Sequence, residues 1–131
     1  MSLLRKLVLA LSLSTAMMSV APTAMAGKIA HQTAAEAVQA IDDTLEQAEL
    51  ALEAIKAGGD VKSVLAVLKT TKQFTKTIES ATTYSTREKA LGKLSKARRY
   101  YKKGDQEKAL VEMEKALVLY KKIKTMYHDF M

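Results

Sequence analysis

The chain has 131 residues, a formal net charge of +7 and no cysteine. The absence of cysteine excludes disulfides, cysteine-ligated zinc, iron–sulfur clusters and covalently attached haem. The length fits one domain that is held together by packing alone. No nucleophile–base pattern, phosphate-binding glycine loop or paired carboxylates can be identified, so the sequence does not predict an enzyme.

Residues 1–26 have the pattern of a secretory signal peptide. Arg5 and Lys6 precede a run of apolar and hydroxyl residues at positions 7–20, and Ala24-Met25-Ala26 forms a small-x-small cleavage site. The run is too short for a membrane-spanning helix with its flanks. We therefore predict cleavage after Ala26. The product, residues 27–131, would be a periplasmic or secreted domain with a formal charge of +5 and no transmembrane segment.

The first half of this domain predicts two helices joined by a glycine turn. Thr33 and Glu36 form a capping box at the start of the first helix, and Gly58-Gly59 ends it. Its apolar residues are spaced 3, 4, 3, 4, 3, which is typical of a bundle helix: Val38, Ile41, Leu45, Ala48, Leu52 and Ile55. Asp60 caps the second helix, whose expected apolar face is Val64, Val67 or Leu68, Thr71, Phe74 and Ile78.

The second half predicts the same plan. Ser85 and Glu88 form a second capping box for a third helix that ends at Gly104, and Asp105 caps the fourth helix. The third helix carries the apolar residues Leu91, Leu94, Ala97 and Tyr101. The fourth carries Ala109, Met113, Ala116, Tyr120, Ile123 and Tyr127. We therefore predict an all-α, antiparallel up-down-up-down four-helix bundle. Gly-Asp recurs after 45 residues, and a duplicated helical hairpin is one explanation of this repeat.

Charge is unevenly distributed along the domain. Residues 36–56 contain six acids and one lysine, whereas residues 87–124 contain thirteen basic and five acidic residues. A group of six basic residues on the third helix is the strongest functional signal, and it consists of Lys89, Lys93, Lys96, Arg99, Lys102 and Lys103. Outside the cytoplasm such a group favours an acidic protein or an anionic envelope surface over nucleic acid. The alternative is an ordinary solvated face of a bundle.

The only two histidines are predicted to lie at the same end of an antiparallel bundle. His31 precedes the first helix and His128 is near the end of the fourth. Two imidazoles on facing helices could ligate a haem iron or, with carboxylates, a divalent metal. The alternative is that both are ordinary polar residues near chain ends.

Tyr127-His128, at the end of a fourth helix with an alanine-rich seam, resembles the periplasmic soluble b-type cytochromes. That resemblance implies a haem b electron carrier with His128 as the histidine ligand and His31 in place of the family's methionine. The duplicated hairpin plan also resembles small periplasmic metal-binding bundles. The favoured interpretation remains an exported binding protein with a basic face that needs no cofactor. Haem b or a divalent metal is the alternative.

Overall fold

A computed structural model describes residues 32–130. Its helices are α1, Ala34–Ala57; α2, Val61–Lys76; α3, Tyr84–Lys102; and α4, Gln106–Phe130. The described residues contain no strand, so the all-α prediction is confirmed. None of these helices has an apolar stretch that would allow it to cross a membrane. The predicted signal peptide and His31 lie outside the described residues.

Three of the four predicted helix caps are confirmed. Glu36 N donates to Thr33 Oγ1 at 3.1 Å and Thr33 N donates to the Glu36 carboxylate at 3.2 Å, which completes the first capping box. Asp60 accepts from the amide three residues later at 3.2 Å. Asp105 does the same at 3.1 Å. These side chains satisfy amides that a helix N-terminus leaves without intrahelical acceptors.

The predicted capping box at Ser85 and Glu88 is wrong. The helix α3 begins at Tyr84 with Thr83 as its N-cap, and no side chain caps it. Thr83 is fully buried, and its carbonyl accepts from Arg87 N at 2.9 Å. Ser85 therefore already lies inside the first helical turn. The helix thus begins two residues earlier than the sequence predicts, after an N-cap residue that is buried and does not use its side chain as a cap.

The helices pack in a closed cycle. The helices α2 and α4 are the main neighbours of both α1 and α3, which places α1 and α3 at diagonal corners. Thr44 Oγ1 on α1 donates to Phe74 O on α2 at 3.0 Å, so an early residue of one helix meets a late residue of the next. In the second half, Lys93 in the middle of α3 contacts Glu112 in the first half of α4.

The predicted apolar seams form the core. All predicted seam residues of α4 up to Ile123 are fully buried, whereas Val38 and Leu45 on α1 are only partly buried. Small residues such as Ala48, Ala97 and Ala116 let the helices approach closely. Polar groups are also buried where α1, α2 and α4 meet, and they are Thr44, Gln47, Thr71, Thr75 and the Tyr120 hydroxyl.

Candidate functional site

The basic residues of α3 lie on the side of the helix that faces away from the core. Leu94, Ala97 and Tyr101 are buried and recur at helical spacing. The cations between them therefore face solvent, as expected for an amphipathic helix. Five of the six basic residues singled out in the sequence are exposed, and they are Lys89, Lys96, Arg99, Lys102 and Lys103. The fold thus brings these five residues onto one exposed surface, which we call the basic face.

Lys93, the sixth predicted residue, has a different environment. It is half-buried, and its Nζ lies 3.9 Å from the carboxylate of Glu112 on α4. Lys115 lies 3.5 Å from the other oxygen of the same carboxylate. Glu112 is only 7% exposed, so its charge is held between two lysines. Sequence analysis missed Glu112, although its place between the seam residues Ala109 and Met113 was a signal.

Tyr100 extends the basic face toward α4. Its ring is half-buried, and Arg99 Cζ and Lys108 Nζ each lie 5.7 Å from its centroid. An aromatic face attracts cations through its quadrupole. The ring therefore holds one cation from each helix at the seam between α3 and α4.

The basic face is electrostatically uncompensated within the described residues. Lys89, Lys96, Lys102 and Lys103 make no ion pair there, and Arg99 contacts only the Tyr100 ring. An exposed surface with several cations and no neighbouring carboxylate is suited to an anionic partner.

His128 occupies a separate place at the other end of α4. Its side chain is exposed beside a shallow crevice between α1 and α4 that also includes Val38 and Tyr127. An ion pair crosses this crevice, with Lys124 Nζ 3.0 Å from Asp42 Oδ1. Within residues 32–130, no three His, Asp or Glu side chains are grouped so that they could hold one metal ion. His31 lies outside the described residues, so its position relative to His128 stays a prediction.

No protein-family model, curated protein or solved structure matches this chain. Its function is therefore inferred from its own charges and contacts.

Proposed function

We propose that this chain is an exported binding protein that captures an anionic partner, either an acidic protein or an anionic envelope surface, through the basic face of α3. The observation that carries the proposal is the set of five exposed cations without an acidic partner. Where a carboxylate is available, as at Glu112, it compensates Lys93 and Lys115 instead.

The charge of the other helices supports this assignment. The helix α1 is acidic, with six acids and one lysine, and it stands at the corner diagonal to α3. A bundle with opposite charge on opposite sides has a field that turns its basic side toward an anionic surface. Such fields raise association rates, and they weaken steeply as ionic strength rises.

Vesicle binding tests the proposal. We expect the purified protein to sediment with vesicles that contain phosphatidylglycerol, or to bind polyglutamate, but not to sediment with pure phosphatidylcholine. The triple variant Lys96→Glu, Arg99→Glu, Lys103→Glu should lose this binding while keeping its helical circular dichroism spectrum. These positions are better than Lys93, because Lys93→Glu would also place a second carboxylate beside Glu112.

A matched control separates the basic face from net charge. Lys62, Lys69 and Lys76 are exposed cations of α2, and changing all three to glutamate alters the net charge by the same amount. We expect this control to retain most of the binding. Equal loss in both variants would show that only overall charge matters, and no binding by the wild type would refute the proposal.

Haem or metal binding at His128 is a second candidate. The His128 side chain is exposed and makes no hydrogen bond or ion pair with another described residue, so a ring nitrogen is free to ligate. A haem protein would show a Soret band after purification or after adding haem, and His128→Ala would remove it. A metal binder would change its melting temperature with added metal. The basic-face variant should leave either signal intact.

A further inference from the structure

Three exposed glutamates form a stripe on α1, which we call the acidic stripe. Glu46, Glu49 and Glu53 are spaced by three and four residues, so they lie on one side of the helix. The buried residues Ala48 and Ile55 belong to the opposite side. None of the three glutamates makes an ion pair with another residue in the described part of the chain.

Part of the basic face has the same spacing. Lys96, Arg99 and Lys103 are also separated by three and four residues, and all three are exposed. With a rise of 1.5 Å per residue, each set extends for about 10 Å along its helix. The two sets therefore match in number, length and spacing, and they are opposite in charge. We call the second set the basic stripe.

One molecule cannot bring its own two stripes together. The helices α1 and α3 stand at diagonal corners, and each stripe faces away from the core. A second copy could place its acidic stripe on the basic stripe of the first. Such a contact uses different surfaces on the two molecules, and each molecule would keep one stripe free for a further copy.

We propose that the basic stripe of α3 binds the acidic stripe of α1 in a second copy, so that the chain self-associates head to tail. The inference uses the same surface as the proposed function, with this chain itself as an acidic partner. Exposed ion pairs are individually weak, so the dissociation constant is expected to be no tighter than about a millimolar.

Zero-length crosslinking tests this contact directly. Carbodiimide joins a carboxylate to an amine only when they touch. We would treat a mixture of ¹⁵N-labelled and unlabelled protein at about 0.1 M salt, where the Debye length is about 10 Å. The expected result is mixed-label peptides that join Glu46, Glu49 or Glu53 to Lys96 or Lys103. At about 1 M salt the Debye length is about 3 Å, and the yield should fall severalfold.

Charge-swapped variants provide a second test. Glu46, Glu49 and Glu53 changed to lysine, or Lys96, Arg99 and Lys103 changed to glutamate, should each abolish the rise of light-scattering mass with concentration. The two variants shift net charge in opposite directions, so a general charge effect cannot explain both losses. Mixing them should restore association, because the reversed stripes are again complementary. The α2 control, with Lys62, Lys69 and Lys76 changed to glutamate, should associate like the wild type.

Failure of this inference is distinguishable from failure of the proposed function. The variant with lysines on α1 should still bind anionic vesicles, since its basic face is unchanged. An absence of mixed-label crosslinks, or two variants that remain monomeric when mixed, would overturn self-association whatever the vesicles show. Crosslinks to lysines outside the basic stripe would overturn it as well.

Discussion

The turns that close the two hairpins contain the same Gly-Asp pair but are built differently. In the first hairpin, α1–α2, the left-handed residue is Gly58 with φ 67°, and Gly59 follows before the cap Asp60. In the second, α3–α4, Gly104 has φ 86° and comes directly before its cap. The sequence repeat pairs Gly59 with Gly104, yet their backbone roles differ.

The first turn has one residue more than the second between its left-handed glycine and its cap. This additional residue, Gly59, connects the two hairpins. The Tyr101 hydroxyl on α3 donates to Gly59 O. The side-chain Nε2 of Gln106, at the start of α4, donates to Ile55 O at 2.7 Å. The second hairpin thus satisfies carbonyls at the end of the first. The glycine of the repeated Gly-Asp pair therefore forms the turn in the second hairpin, whereas in the first hairpin it contacts the other hairpin.

If the two hairpins form one cooperative unit, a charge buried in either hairpin should unfold both. Ile55 on α1 and Ile123 on α4 are fully buried. We expect Ile55→Asp or Ile123→Asp to unfold the domain, because an unpaired buried carboxylate costs several kcal/mol against a total stability of about 5–15 kcal/mol. Circular dichroism should show loss of all helical signal. Val118→Asp is the control, since Val118 is 64% exposed, and retention of half the helicity would mean independent hairpins.

Alkaline pH tests the polar contact between the hairpins. Tyr120 on α4 bonds to Thr75 on α2 at 2.7 Å, and burial raises the pKa of Tyr120 from 10.0 to about 12. The folded state therefore keeps a proton that the unfolded chain loses above pH 10. The contribution of the Tyr120 hydroxyl to the free energy of unfolding is complete below pH 10. About 2–3 kcal/mol of it is lost by pH 12. In denaturant melts, the stability of the wild type should fall by this amount relative to that of Tyr120→Phe over this window, and a constant difference would contradict the assignment.

The parts of the fold that depend on neighbouring residues were predictable. The caps at Thr33, Asp60 and Asp105 need only a side chain and an amide within one turn, and the apolar seams need only helical periodicity. One error arose at α3, which begins after the buried N-cap Thr83 and not after Ser85. The pairing of Lys93 with Glu112 on another helix was also not predictable. Spacing along one helix contains no information about a facing carboxylate.

Alanine substitutions at the glycines test which residue each turn uses. Gly58→Ala and Gly104→Ala should each cost about 1–2 kcal/mol, because an L-residue is strained at positive φ. Gly59→Ala should be nearly neutral. Its new Cβ would lie 3.3 Å from Val64 Cγ2, and the loss of unfolded-chain entropy offsets this tight contact. Urea melts would measure the stability of all three variants. If Gly59→Ala lost as much stability as Gly104→Ala, then Gly59 and not Gly58 would be the structural counterpart of Gly104, as the sequence repeat suggests.

The smallest effect separates two adjacent tyrosines of α3. Tyr101→Phe removes the hydroxyl that contacts Gly59 O and should cost about 1 kcal/mol, the usual net contribution of one hydrogen bond. Tyr100→Phe is the matched control, because the contacts of Tyr100 with Arg99 and Lys108 involve its ring. It should leave stability unchanged. Hydrogen exchange would add a local readout, since the amides near Gly59 should exchange faster in Tyr101→Phe only. Equal behaviour of the two variants would mean that the additional residue of the first turn does not join the hairpins.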